Sequence, residues 1–120
     1  MLRELKNASQ EKTGFRRIFI GDYFDLFVWY ESRGGVLIGF ELSYNKGVDE
    51  HSIIWKQVSG WFHARVDSGE EHAGMMKQTP VLMSDGLFDS RPIAEKFRRM
   101  STEISRDVAD LVYEKLLQYE

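Results

Sequence analysis

Apolar residues near the C-terminus recur at steps of three and four. Such spacing places side chains on one face of a helix. Ser101, Thr102 and Ser105 interrupt the series at its middle, and these side chains favour helix ends over helix interiors. We therefore predict two helices, over 92–100 and 105–119, with one unbroken helix as the alternative. The apolar series is Ile93, Phe97, Met100, Ile104, Val108, Leu111, Val112, Leu116 and Tyr119.

Short polar segments mark where both helices start. Asp89 and Ser90 precede Pro92, whose missing N–H is not needed in the first turn of a helix. Ser105 can cap the second helix with its hydroxyl, and Asp107 then lies near the positive end of the helix dipole. We therefore expect a side-chain cap at the second start.

Upstream of these helices the apolar residues alternate with polar ones, which is the period of a strand. The clearest face, in segment 36–44, consists of Val36, Ile38, Phe40, Leu42 and Tyr44. We predict an extended stretch over 15–30 that Gly21 and Asp22 interrupt, and strands over 36–44, 51–56, 61–67 and 81–84.

Glycine-containing turns over 32–35 and 45–47 separate these strands. Segment 57–60 is a short loop in the simpler interpretation, and in the alternative it is a bulge at Gly60 within one long strand. Tight turns join antiparallel neighbours. We therefore predict an α+β fold, an antiparallel meander sheet of four to five strands covered on one face by a C-terminal helix or helix pair.

The length and the N-terminal composition set the expected domain boundaries. A chain of 120 residues is long enough for one domain with its own core. Residues 1–14 are polar and basic, and we predict a flexible arm with one or two helical turns around Leu2 and Leu5. Residues 15–120 then form a single α+β domain.

Segment 23–30 carries aromatic side chains on both of its faces. Phe24 lies on one face, whereas Tyr23, Phe27 and Trp29 lie on the other. One layer of helices covers one face of a sheet, so the second apolar face needs another cover. We therefore expect self-association, as a homodimer.

Charge and composition exclude several classes of protein. The net charge of −3 argues against bulk attraction to nucleic acid, although residues 1–17 carry a local balance of +3. The absence of cysteine excludes disulfides, thiol catalysis and cysteine metal ligands. No apolar run approaches the roughly 20 residues of a membrane span, and no signal-peptide core is present. We expect a cytoplasmic protein without a membrane or nucleic-acid partner.

Segment 61–67 carries the candidate chemistry, because its two faces differ. One face combines an aromatic ring, an imidazole, a guanidinium and a carboxylate. Arg65 offers a bidentate fork and His63 a hydrogen-bond donor, which suits a small anionic ligand. The alternative is a solvated sheet face on which Arg65 pairs with an acid such as Glu41. The predicted ligand-binding set is Trp61, His63, Arg65 and Asp67, and the predicted core-facing set is Phe62, Ala64 and Val66.

Metal and catalytic interpretations find less support. His63, Asp67, Glu71 and His72 have ligand-type side chains, but their spacing matches no known metal motif and Arg65 would oppose a cation. The chain has neither a Gly-x-Ser-x-Gly elbow nor a glycine-rich phosphate loop. We therefore expect no catalytic residues, no metal and no cofactor. The leading hypothesis is a non-enzymatic binding or interaction module. The alternative is a small anionic-ligand binder or minor enzyme with a pocket beside His63 and Arg65.

A set of short segments carries a family resemblance. It comprises 24–30, the Gly-Phe-Glu-Leu-Ser-Tyr run over 39–44, 63–67 with Gly69-Glu70, and the pairs Thr79-Pro80 and Asp85-Gly86. These segments resemble those of small uncharacterised bacterial proteins. The resemblance implies one compact bacterial domain, and it supplies no catalytic residues because no activity is assigned to such proteins.

Overall fold

A computed structural model describes residues 1–6, 10, 14–65 and 89–119 of the chain. In this part of the chain six strands are followed by two helices. The strands are β1 Arg3–Glu4, β2 Phe15–Ile20, β3 Asp25–Tyr30, β4 Leu37–Tyr44, β5 His51–Lys56 and β6 Gly60–Arg65. The helices are α1 Ser90–Met100 and α2 Arg106–Gln118.

The six strands form one open antiparallel sheet in which each strand pairs with the next along the chain. This confirms the predicted α+β class and the antiparallel meander, but the predicted count of four to five strands is too low for the described residues. The difference arises at two places. Gly21 and Asp22 separate two paired strands in segment 15–30 and do not merely interrupt one, and β1 adds a further strand. The predicted strand over 81–84 lies outside the described residues.

The sequence did not predict β1, which lies at the edge of the sheet beside β2. The Leu2 N–H donates to the Met100 carbonyl at 2.9 Å, and the Leu5 N–H donates to the Ile18 carbonyl at 2.8 Å. The Leu2 side chain is buried in the core. Residues 1–6 therefore pack into the domain, whereas they were predicted as part of a separate arm. The predicted helical turns are wrong because completing the edge of β2 requires an extended backbone.

The two-helix prediction is confirmed. Ser101, which follows α1, is buried, and its hydroxyl donates to the Arg98 carbonyl at 3.4 Å. The predicted side-chain cap at Ser105 is wrong, because the side chain makes no cap hydrogen bond and only the carbonyl accepts, from the Ala109 N–H at 3.0 Å. Asp89 also makes no side-chain cap bond. No helix among the described residues has the length and apolar character that a membrane span requires.

Both helices pack on one face of the sheet and share its apolar core. Phe24 and Phe97 meet edge to face with their ring centroids 5.7 Å apart. Leu26 and Val28, which alternate on this face of β3, are fully buried. The buried cluster consists of Leu2, Phe19, Phe24, Leu26, Val28, Phe40, Leu42, Ile53, Ala94, Phe97, Val108, Val112 and Leu116.

A register shift between Trp29 and Tyr30 corrects the predicted face of β4. Tyr30 pairs with Leu37, and Leu37 packs against the core. Ile38 is the extra residue of the bulge, and Val36 precedes the strand with 61% of its surface exposed. Strict alternation places Val36 and Ile38 on the core face, and one inserted residue reverses that assignment at the start of the strand.

Residues 57–59 form a hairpin loop and Gly60 begins β6, which confirms the simpler interpretation of the sequence. Lys56 pairs with Gly60, and the Ser59 N–H donates to the Lys56 carbonyl at 3.2 Å. Gly60 has a φ of 85°, a left-handed conformation that glycine adopts without steric cost. The tight turn brings β6 back alongside β5, and so places Trp61 against the core and His63 on the same face.

Candidate functional site

The described members of the predicted ligand-binding row, Trp61, His63 and Arg65, lie on the helix-covered face of the sheet. The Trp61 ring packs against Phe40 and against Tyr119, with centroid distances of 6.1 Å and 5.1 Å. Phe62, which was predicted to face the core, lies on the opposite face with 36% of its surface exposed. Ala64, on the same face as Phe62, is buried as predicted. The helices nevertheless pack on the face of Trp61, so the predicted orientation is wrong for Trp61 and Phe62. Both faces of β6 carry an aromatic residue, so alternation alone does not show which one the helices cover.

Arg65 and Glu41, the ion pair of the alternative interpretation, lie on opposite faces of the sheet. Arg65 pairs with His51 in a row on the helix-covered side, whereas the Glu41 side chain points to the other side. Burial raises the pKa of the Glu41 carboxyl, and a hydrogen bond with Ser52 and the charge of Lys56 oppose that shift. Arg65 therefore does not pair with Glu41, the acid given as the example, and Glu41 belongs to a different environment.

His63 belongs to a cluster of three nearly parallel rings, which we call the ring cluster (Tyr44, His51 and His63). The centroid distances are 5.6 Å for Tyr44 to His51, 5.5 Å for His51 to His63 and 6.1 Å for Tyr44 to His63. The Tyr44 hydroxyl and His63 Nε2 share a hydrogen bond of 2.7 Å. Two imidazoles and a phenol in contact can exchange protons and bind polar groups.

The hydrogen bonds of His51 fix its tautomer. His51 Nδ1 lies 2.8 Å from the Asp49 carbonyl oxygen, and because a carbonyl only accepts, Nδ1 carries the proton and the neutral ring keeps its lone pair on Nε2. Within the described residues, no group of three or more histidines and carboxylates is placed to hold a metal ion. Asp67, Glu71 and His72, which the sequence named as metal or ligand residues, lie outside them.

A cavity of about 560 Å³ lies at the end of the sheet where β2 and β4 begin and β3 and β5 end. We call it the Trp29 cleft, after a lining that includes Gln10, Arg16, Trp29, Ile38, Lys56 and Gln57. Sites for small organic molecules are typically clefts of about 300–1,000 Å³. The Trp29 cleft therefore has the size of a small-molecule site.

One cross-strand row forms the floor of the Trp29 cleft. Arg16, Trp29, Gly39 and Lys56 are successive partners on β2 to β5, and they alternate with core-facing positions, so the row faces away from the helices. A Cβ atom at Gly39 would lie 2.8 Å from the Trp55 carbonyl oxygen. The glycine leaves the middle of the row open, and Lys56 Nζ lies 5.3 Å from the Trp29 ring centroid.

A side-chain amide closes one edge of the Trp29 cleft. Gln10 Nε2 donates to the Arg16 carbonyl, and the Arg16 N–H donates to Gln10 Oε1, both at 2.9 Å. This reciprocal pair reproduces the bonding that a neighbouring strand would give. The Gln10 amide thus pairs backbone groups of β2 that lie beyond the reach of β1, and it fixes the backbone of Arg16, which lies opposite Trp29.

The sequence carries one signal for the ring cluster and another for the Trp29 cleft. Tyr44 and His51 flank a predicted turn, so their pairing across the hairpin follows from that prediction. Gly39 stands on the outward face of β4 between longer side chains, which is typical of a place where another group approaches closely. Which residues pair with Gly39 across the strands is set by the exact register. The bulge beside Trp29 shifts that register by one residue, so counting alternate positions does not identify Trp29 and Lys56 as its partners.

No family model, curated protein or solved structure matches the chain. The resemblance to small uncharacterised bacterial proteins therefore stays a prediction. The geometry of the Trp29 cleft and of the ring cluster is the basis on which a function can be inferred.

Proposed function

We propose that the protein is a non-enzymatic binding module that holds a small organic molecule in the Trp29 cleft. The observation that carries this proposal is the cleft itself, with a volume of about 560 Å³ and a floor made by Trp29 between Arg16 and Lys56. An aromatic floor with a few charged and amide groups around it is the usual composition of a small-molecule site.

The position of this site differs from the pocket that the sequence predicted beside His63 and Arg65. Those two residues lie on the helix-covered face, whereas the floor of the Trp29 cleft faces the opposite side. A ligand at His63 remains a second proposal, supported by the hydrogen bond between Tyr44 and His63. Replacing Arg65 by Ala distinguishes the two sites, because it removes a guanidinium from one and leaves the other intact.

The test is a screen of a mixed panel of charged and uncharged metabolites at millimolar concentration, followed by amide and indole N–H shifts in two-dimensional NMR spectra. We expect the hits to shift Trp29, Ile38 and Gln57, and to do so equally in Arg65→Ala. Hits that shift only the signals of His63 and its neighbours would show that the ligand binds at the ring cluster. A panel without hits, or hits that affect neither place, would refute a small-molecule function.

A second candidate function is self-association through the face of the sheet opposite the helices. Ile18, Phe27, Ile54 and Phe62 stand in one cross-strand row on that face, with Glu41 at its centre. Both helices pack on the other side, so this apolar row fits the homodimer that the sequence predicted. Ile18, Phe27 and Ile54 are half-buried and Phe62 is exposed, and a partly exposed apolar row of this kind is typical of a protein–protein contact.

Light scattering over a range of protein concentrations tests the homodimer. We expect a dimer at high micromolar concentration and a monomer when Phe62 is replaced by Lys, because a charge would be buried in the contact. Leu117→Lys is the matched control, since Leu117 on α2 is 37% exposed and Phe62 is 36% exposed. A wild-type monomer at high concentration, or equal effects of both changes, would exclude this interface.

A further inference from the structure

We infer that the ligand of the Trp29 cleft is a planar aromatic molecule with an anionic group, such as an aromatic carboxylate. This inference rests on the proposed function and names its ligand class. It follows from two features of the floor, a flat indole surface and an ammonium held directly above it. Neither feature was part of the site that the sequence predicted.

The first feature is the placement of the Trp29 ring. Trp29 is half-buried and lies next to Gly39, so no side chain from β4 stands between the indole and Lys56. The space above the ring is occupied by the Lys56 ammonium, 5.3 Å from the centroid, which is within the range of a cation–π contact. A flat ring can take this place by stacking on the indole, with Ile38 as an apolar wall.

The second feature is the charge of the cleft. Its lining contains Arg16, Lys56 and Glu31, a formal charge of +1 within a chain of net charge −3. Glu41 in the next row does not line the cleft. Burial raises the pKa of its carboxyl, and the charge of Lys56 opposes that shift. The cleft is therefore a positive site in an acidic protein, and it favours anions over cations.

Binding an aromatic anion replaces the cation–π contact of the floor with two new contacts. The Trp29 ring exchanges an ammonium for an aromatic ring, and the Lys56 ammonium exchanges the ring for a carboxylate. A charge-assisted hydrogen bond to a carboxylate is stronger than an exposed cation–π contact. A neutral ring of the same shape displaces the ammonium without that compensation, so it binds more weakly.

The experiment compares 2-naphthoate, the neutral isostere 2-naphthamide and inorganic phosphate by titration, with the Trp29 indole N–H signal as the readout. We expect 2-naphthoate to bind about five- to tenfold more tightly than 2-naphthamide, the factor for a charge-assisted contact of about 1–1.4 kcal/mol. Lys56→Gln should abolish this preference, and Lys56→Arg should keep it. Lys115→Gln is the matched control, because the Lys115 ammonium lies 4.3 Å from the Trp55 ring on the helix-covered face.

The outcomes separate this inference from the proposed function. Equal binding of naphthoate and naphthamide in the cleft overturns the anionic requirement and leaves the cleft as a binding site. Binding of phosphate as tight as that of naphthoate overturns the aromatic requirement. Loss of the preference in Lys115→Gln as well as in Lys56→Gln refutes the role of Lys56. If metabolite hits and naphthyl probes all fail to shift Trp29, both proposals fail.

Discussion

The Tyr44 hydroxyl and His63 Nε2 lie 2.7 Å apart, although the strands that carry them are not neighbours. β5 runs between β4 and β6, and adjacent strands are about 4.8 Å apart, so the two side chains meet across His51. The His51 ring stacks with both, 5.6 Å from Tyr44 and 5.5 Å from His63. The hydrogen bond therefore links β4 directly to β6, which the backbone ladder does not do.

Replacing Tyr44 by Phe tests what this link contributes to folding. The change keeps the ring and removes the hydroxyl, so His63 loses a short hydrogen bond in a partly buried place. We expect the free energy of unfolding to fall by about 1 kcal/mol, the usual net value of such a bond. Urea denaturation followed by circular dichroism measures the change.

Tyr23→Phe is the control for the Tyr44 change. The contacts of Tyr23 are made by its ring. Its ring centroid lies 4.7 Å from that of Phe24, edge to face, and 3.7 Å from Lys96 Nζ. Removing this hydroxyl should change the stability little. A Tyr44→Phe protein as stable as Tyr23→Phe would show that the bond to His63 does not stabilise the fold.

Glu41 makes the stability depend on pH. Burial raises the pKa of its carboxyl above the ordinary glutamate value, so the folded state binds the proton more tightly than the unfolded state. Stability therefore falls as the pH rises above about 4.3, the unfolded value, through the folded-state pKa. We expect Glu41→Gln to raise the Tm at neutral pH and to have little effect below about pH 4. A lower Tm at neutral pH would show that the charged carboxylate stabilises the fold.

Glu4 gives the opposite pH dependence. Its two oxygens accept from the Arg17 side chain, both at 2.8 Å, and this hydrogen bonding lowers the pKa of Glu4. The stabilisation is present above the unfolded value of about 4.3 and is lost as the pH falls through the lower folded-state pKa. Both side chains are partly exposed, so we expect Glu4→Gln to cost only about 0.5–1 kcal/mol at neutral pH.

Denaturation of Glu4→Gln at neutral and at acidic pH, with and without added salt, measures this effect. The difference from wild type should shrink in acid and in high salt, since the pair is partly exposed and screened. Because Glu41→Gln is expected to change stability in the other direction, a general effect of removing a carboxylate cannot produce both results. A Glu4→Gln protein as stable as wild type at neutral pH would show that the pair contributes nothing.

The fold class follows from the sequence because its periods are local. Alternation over 36–44 and the three-and-four spacing after residue 92 predict strand and helix, and Ser101 and Ser105 mark the break between the helices. β1 is different, because its two residues are both polar and too few to show an alternating pattern. The strand becomes evident only in the structure, where the neighbouring Leu2 is buried. The sequence pattern therefore does not predict an element that forms only through its contacts with other parts of the chain.

The sites could be predicted less well, because they depend on register and on which face is covered. Tyr44 and His63 are 19 positions apart and meet through two hairpins. In the Trp29 cleft, one inserted residue at Ile38 decides which side chains of β4 face outward. For β6, both Trp61 and Phe62 are large and apolar, and only the packing of Trp61 against Phe40 shows which face lies inside. Such information lies in long-range contacts that a single chain segment does not contain.

Gly39 and Gly34 are glycines for two different physical reasons. Gly34 has a φ of 75° with nothing within 4 Å of a Cβ atom, so its requirement is backbone conformation. At Gly39 the requirement is space, because a Cβ would lie 2.8 Å from the Trp55 carbonyl oxygen. We expect Gly39→Ala to cost about 1–3 kcal/mol through overpacking, and Gly34→Ala to cost about 1–2 kcal/mol through left-handed strain.

Asparagine distinguishes the two glycines more sharply than alanine does. Asn tolerates the left-handed region, so Gly34→Asn should recover most of the stability that Gly34→Ala loses. Gly39→Asn places a larger side chain in the same crowded position, so it should be no better than Gly39→Ala and should also fill the gap between Trp29 and Lys56. Urea denaturation of the four variants checks this order. Recovery at position 39 with Asn would mean that the backbone there moves freely, and that the cleft does not depend on the missing side chain.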